Sequence, residues 1–301
     1  MPTSRSVTRI PPPGPHGGDG PRIAAALGLD PARILDLSQT LNPHAPSVAS
    51  LVADHAEAVV RYPDPSTAVG LLAEVLGVDP ARVLLTNGGS EAISLVARTH
   101  GGRVLGEPEF GLHPRGDAGP IWRSDPHNPS GRLAPPSLRA DVWDEAFYPL
   151  ATGRWTAGRE GIVVGSLTKV FACPGLRLGF LVADDPERFC DGRQAWPVSS
   201  IALAVLPELL ARAELEAWAR RLAEGSRALA EIFVRRGFRV EAADAPWVLV
   251  HAPGLREALA PWGIVVRDCA SFGLPGVARV AVPDDDGLER LDRALDRVVD
   301  P

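Results

Sequence analysis

Apolar residues recur at three- and four-residue spacing over 21–27, 66–76, 90–99, 201–222, 226–236 and 286–298, and each stretch is predicted to form an amphipathic helix. Short Val-, Ile- and Leu-rich runs bounded by Gly, Pro or Asp are predicted strands at 83–86, 103–106, 121–124, 141–144, 162–166, 178–182, 247–251 and 279–282. Up to about residue 190 the strands alternate with helices or loops, the pattern of a largely parallel sheet. Beyond that point long helices are followed by a few strands. The chain is therefore expected to be α/β, with a large domain over 46–190 and a small one over 191–301. The Pro- and Ser-rich start, 1–15, is expected to be an irregular arm.

Composition narrows the class. With 45% hydrophobic and 23% charged residues the balance is that of a globular protein. A net charge of −6 speaks against a nucleic-acid partner, which needs a clustered basic surface. Three widely spaced cysteines make neither a disulfide framework nor a metal site. No run has the length of a membrane span, and the start lacks the apolar core of a signal peptide, so a cytoplasmic protein is expected.

The cations carry the sharpest signal. Of 31 Lys and Arg residues, Lys169 alone is a lysine. A surface cation needs only charge, so lysine can drift to arginine almost anywhere. A Schiff base is different, because it needs a primary amine that can lose its proton, and a guanidinium keeps its own. Lys169 follows a strand in Gly165-Ser166-Leu167-Thr168-Lys169 and precedes Pro174-Gly175-Leu176-Arg177-Leu178-Gly179. Two hydroxyls before the amine and an arginine after it are able to converge on a phosphate.

This segment resembles the lysine signature of the class I/II aminotransferases, the fold-type I pyridoxal-phosphate enzymes. Three further segments resemble the same family, in the order it requires. Thr86-Asn87-Gly88-Gly89-Ser90 is a turn that opens a helix and offers N–H groups to a phosphate. Asp125-Pro126-His127-Asn128-Pro129-Ser130-Gly131 is similar to the family's Asn-Pro turn, which implies that Asn128 bonds the cofactor's ring hydroxyl. Asp125 and His127 replace the asparagines usual there. Asp144-Glu145-Ala146-Phe147 looks like the family's Asp-Glu-Ala-Tyr/Phe, so Asp144 is expected to hold the pyridine nitrogen protonated. The resemblance further implies that Lys169 holds the aldehyde, that Ser166, Thr168 and Arg177 join Gly88, Gly89 and Ser90 around the phosphate, and that His113 stacks on the ring. It implies that Tyr62 reaches the phosphate of a partner subunit, making the protein a homodimer with shared active sites.

Other features bear on the reaction. Arg279 matches the family's arginine for the substrate carboxylate. Pro15-His16-Gly17-Gly18 and Asp36-Leu37-Ser38-Gln39-Thr40-Leu41-Asn42-Pro43 resemble the N-terminus of the threonine-phosphate decarboxylases of cobalamin biosynthesis, where a comparable segment closes over the substrate phosphate. On this resemblance 16–45 is a lid, and His16, Gly17, Gly18, Asn42 and Arg267 join Arg279 as substrate-binding residues. Phe147 leans the same way, since histidinol-phosphate aminotransferases usually have tyrosine there. The implied activity is decarboxylation of L-threonine O-3-phosphate, with an aminotransferase of histidinol-phosphate or aromatic type as the alternative. A cofactor-binding regulator is disfavoured by the lack of room for a helix-turn-helix module, and a degenerate relative without turnover remains a further reading. Relatives usually fit a helix and a strand where this chain has only a short link, so the large domain is expected to lack a β–α unit between residues 113 and 121.

Overall fold

The computed structural model describes residues 10–299, so residues 1–9 of the expected arm lie outside the described residues. The strands are β1 (Leu35–Leu37), β2 (Val83–Asn87), β3 (Arg103–Val104), β4 (Ile121–Ser124), β5 (Val142–Asp144), β6 (Ile162–Ser166), β7 (Leu178–Val182), β8 (Arg239–Glu241), β9 (Trp247–His251), β10 (Ile264–Asp268) and β11 (Val277–Ala281). The helices are α1 (Gly20–Leu27), α2 (Val48–Asp54), α3 (Ser66–Leu76), α4 (Gly88–His100), α5 (Tyr148–Thr152), α6 (Leu167–Val170), α7 (Ser200–Ala211), α8 (Leu215–Val234), α9 (Leu255–Leu259) and α10 (Asp285–Val299). No described helix is long and apolar enough to cross a membrane, and no cluster able to hold a metal ion occurs among the described residues.

Contacts gather the chain into two units. The larger is Leu41–Glu224 with Asp244–Pro246; the smaller takes the residues up to Thr40, Gly225–Ala243 and those from Trp247 onward. The large unit therefore ends near 224 instead of 190. The reason is packing: Leu206 and Leu209 of α7 and Trp218 of α8 are buried in one core with β2, β6 and β7. The helices expected over 201–222 and 226–236 break at 212–214 instead of near 224. Gly225 reads as a breaker, yet it sits inside α8, where an added Cβ would lie 2.6 Å from Val282 Cγ1. Close packing, not a turn, explains that glycine.

The large unit's sheet has the order β2-β7-β6-β5-β4-β3. The pairs from β3 through β6 are parallel, whereas β7 runs antiparallel to both β6 and β2. Alternate residues face opposite cores, as strand geometry demands. Val163, Phe180 and Val182 pack under α3 and α7 on one face, while Val164 and Leu181 pack against Ala92, Ile93 and Val96 of α4 on the other. Parallel neighbours need a crossover, normally a helix. Here residues 105–120 join β3 to β4 with neither helix nor strand, as the shortened stretch before 121 implies.

The smaller unit has a sheet of order β1-β10-β11-β9-β8, in which only β1 and β10 are parallel. Three of its strands, β1, β8 and β10, and helix α2 of the large unit were not expected from the pattern.

Acidic side chains at the ends of β4 and β5 are buried and held by one loop. Asp125, fully buried, accepts from Ala134 N at 2.8 Å and pairs with Arg159, whose guanidinium lies 3.8 Å from the centroid of the Trp143 ring. Glu145 accepts from Thr156 Oγ1 at 2.6 Å and Ala157 N at 3.1 Å. Burial outweighs these bonds and pushes the Glu145 carboxyl up to about 7. A carboxyl raised from an ordinary 4.5 contributes stability that is complete below that value and is lost as pH rises through about 7. Glu145→Gln should flatten this dependence in denaturant titrations at pH 5 and pH 8, removing a difference on the order of 3 kcal/mol. A variant as pH-dependent as the parent would show that Glu145 is not the group responsible.

Candidate active site

Strand pairing assembles the site. Because β7 is hydrogen-bonded to both neighbours, Gly179 lies opposite Thr86 of β2 and Ser166 of β6. The ends of β2 and β6 therefore meet beside the start of β7, where Arg177 sits. The approach is close enough to demand glycine. A Cβ on Gly179 would collide with the Gly88 carbonyl carbon and Gly89 N, and one on Gly88 would lie 2.5 Å from Arg177 Nη2. Gly88 has φ +75° and Arg177 φ +57°, both left-handed, and an arginine held there is uncommon.

The cradle is suited to a phosphate. The 13-residue helix α4 starts at Gly88 and directs its first N–H groups into it. The hydroxyls of Ser90 and Ser166 make no hydrogen bond among the described residues. Among the described residues Arg177 makes only two long contacts, both 3.5 Å, to the carbonyls of Pro174 and Asn87, and no ion pair. Donors and positive charge thus converge without a negative partner among the described residues. Thr168 is different: its hydroxyl donates to Leu178 O at 3.2 Å, so the phosphate role expected of it is taken up by the backbone.

Lys169 extends from the short helix α6, with Nζ 6.0 Å from the centroid of the Phe147 ring. Asn42 lies behind it. Its backbone N–H donates to Lys169 O at 3.1 Å and its side-chain amide to Val170 O at 3.0 Å, while its Oδ1 accepts from His44 N. Asn42 is 1% exposed and its amide is committed, so it braces the lysine segment instead of binding substrate.

Asp144 ends β5 almost buried. Its Oδ1 accepts from Ala146 N at 3.0 Å and its Oδ2 lies 3.1 Å from His113 Nε2. Here the expectation for His113 is corrected. Its side chain is fully buried, tilted against Trp122 at 5.3 Å and edge-on to Phe110 at 5.6 Å, so no face is left for a cofactor ring. It orients Asp144. Asn128 is buried in the turn after β4, 6% exposed.

The large unit thus brings together Gly88, Gly89, Ser90, Ser166, Lys169 and Arg177. Tyr62 stands apart, 79% exposed, with its ring 4.6 Å from that of Trp196, itself 59% exposed.

The remaining expected residues belong to the smaller unit. Arg267 of β10 and Arg279 of β11 are directly opposite across the strand pair, and both are buried. Arg267 donates to Pro15 O at 2.6 Å and Ser271 Oγ at 2.9 Å, whereas its Nε and Nη1 have no partner among the described residues. Burial and the facing Arg267 hold Arg279 down to about 10. Gly17 packs so tightly that a Cβ would collide with Ser38 O, and Gly18 N donates to Ser38 Oγ at 2.8 Å. The N–H of Gly18, expected among the substrate-binding residues, is therefore spent within the fold. His16 is exposed.

Sequence reasoning missed the pairing of His113 with Asp144 and the role of Trp122 behind it. The three-residue step from Phe110 to His113 was the available sign, since it separates one ring from another within a single turn.

The residues present fit pyridoxal phosphate: a cradle that glycines keep open for a dianion, a buried carboxylate for a protonated ring nitrogen, and one primary amine. Similar structures include histidinol-phosphate aminotransferase from Sinorhizobium meliloti in complex with pyridoxal-5'-phosphate, at TM-score 0.74 and 18% identity over 98% of both chains. L-threonine-O-3-phosphate decarboxylase from Porphyromonas gingivalis matches at TM-score 0.74 and 19% identity, over 89% of this chain and all of that one. In sequence, histidinol-phosphate aminotransferase 2 of Methylococcus capsulatus is 27% identical over 338 aligned positions, covering 89% of this chain and 91% of the relative. That alignment is longer than this 301-residue chain, so the relative carries segments that are lacking here. The sequence model for aminotransferase class I and II matches residues 121–297, and with more than half its length so matched the chain belongs to that family.

Proposed function

We propose that the protein transfers an amino group to or from a small phosphorylated compound, with Lys169 as the catalytic amine. The family works with pyridoxal 5'-phosphate, and that is this chain's cofactor. When bound it supplies an electron-withdrawing ring joined to the substrate's amino carbon. Lys169 would hold the aldehyde carbon and, once released, move a proton at the substrate's α-carbon. Ser90, Ser166, Arg177 and the start of α4 would hold the phosphate. Asn128 would hold the ring hydroxyl. Asp144, oriented by His113, would keep the ring nitrogen protonated.

The observation that carries the substrate reading is the unused donor edge of Arg267, which lies opposite Arg279 across the strand pair. The free Nε–Nη1 edge of Arg267 is a planar fork suited to carboxylate or phosphate. Amino transfer is the better-supported reaction because the curated relatives are named histidinol-phosphate aminotransferases. Decarboxylation of threonine phosphate is a second reading, favoured by the Pro15 carbonyl bonded to Arg267, which seats the His16-Gly17-Gly18 segment by that arginine, and by Phe147.

We also assign the protein as a homodimer. Val59, Val60, Tyr62 and Trp196 are 70%, 81%, 79% and 59% exposed, more apolar surface than single scattered side chains explain. Sedimentation should show a dimer that Trp196→Glu weakens; a monomeric parent would remove Tyr62 from any shared site.

Two further outcomes are expected. Lys169→Ala should lose the visible absorbance of bound cofactor, with no other lysine to restore it, and retained absorbance would contradict the assignment. Holoenzyme with histidinol phosphate and 2-oxoglutarate should form glutamate. Carbon dioxide from threonine phosphate, with no glutamate formed, would replace transfer by decarboxylation.

A further inference from the structure

A crossover helix would satisfy its own carbonyls with N–H groups four residues on. The 105–120 connection has no such ladder, and Pro108, Pro114 and Pro120 each remove a donor. Arg115 fills the gap. Its Nη1 donates to the carbonyls of Phe110 at 2.8 Å and His113 at 2.5 Å, its Nη2 to the carbonyl of Glu109 at 2.9 Å, and its Nε to Glu107 Oε1 at 2.8 Å. One planar group thus ties together the main chain of Glu109, Phe110 and His113. Glu109 is anchored in turn to β4, accepting from Ser124 Oγ at 2.7 Å and Ser124 N at 3.1 Å. The His113 ring ends this chain of contacts on Asp144.

We propose that Arg115 is a positioning residue for Asp144, acting through His113 and standing in for the absent crossover helix. The inference rests on the reading that Asp144 faces the cofactor's ring nitrogen. Lysine cannot replace it, because an ammonium is a point donor and lacks the fork that spans three carbonyls.

The test compares cofactor-loaded Arg115→Lys, His113→Asn, the double variant and Asp144→Asn. The readouts are the pH titration of the bound cofactor's visible absorbance, cofactor affinity, and kcat against KM. Arg115→Lys should move the titration in the same direction as His113→Asn and lower kcat about tenfold, the scale of one lost hydrogen bond to a charged group, with KM changed less. In the double variant Arg115→Lys should add little, as expected of residues acting in series. A titration coincident with the parent's, or effects that add in full, would overturn the inference. Asp144→Asn separates the two levels: if it leaves the titration unmoved, the assignment of Asp144 itself fails, and if it moves the titration while Arg115→Lys does not, only the role of Arg115 fails. Should Arg115→Lys disturb folding, circular dichroism will reveal it, and Glu107→Gln, which weakens the same knot from its exposed side, should give a smaller shift in the same direction; no shift would again count against the proposal.

Discussion

The candidate site depends on one close approach, strand β7 against the turn that follows β2. Because β7 is antiparallel to both β2 and β6, its first residues lie beside the last residues of each. Gly179 has no side chain to hold Gly88 and Gly89 away. That contact brings the start of α4, the Ser166 hydroxyl and the Arg177 guanidinium to one place, and Lys169 follows Ser166 in the same chain segment. A single methyl group at Gly179 would separate parts that come from two distant stretches of sequence.

Both units bury charged side chains at the positions proposed for the site. In the large unit, Asp144 and Glu145 are adjacent, but their surroundings differ. Asp144 shares an oxygen with His113, whereas Glu145 is fixed to a loop and sits where burial favours its neutral form. Under the proposal the adjacent carboxyls have separate tasks, Asp144 toward the cofactor and Glu145 toward the loop that it holds. In the smaller unit the charge is positive, and Arg267 keeps part of its donor edge unused. The shortening of the sheet edge has a local consequence. Where a helix would organise the residues behind Asp144, a loop knotted by Arg115 stands there instead.

Much of this was legible because it is local. The runs 162–166 and 178–182 are short, apolar and bounded by glycine and polar residues, and they are strands at those same bounds. Asp144 and Lys169 each follow such a run. What was not legible depends on partners far away in sequence. Leu35 to Leu37 is too short to declare itself a strand and becomes one by pairing with Ile264 to Val266. Gly225 looks like a helix breaker until Val282 is seen beside it. Asn42 and His113 each carry the residue type of a ligand-binding position, and only tertiary contacts show that Asn42 braces a backbone and His113 orients a carboxylate. Thr168 is the same case on a smaller scale, since the carbonyl that takes its hydroxyl comes from the next strand.

The central claim is that one amine, at one place, holds the cofactor. Borohydride reduction of cofactor-loaded protein followed by peptide mass mapping tests it most directly. A single modified peptide is expected, carrying one reduced cofactor on Lys169. Reduction that leaves Lys169 unmodified in protein shown to have bound the cofactor would contradict the account.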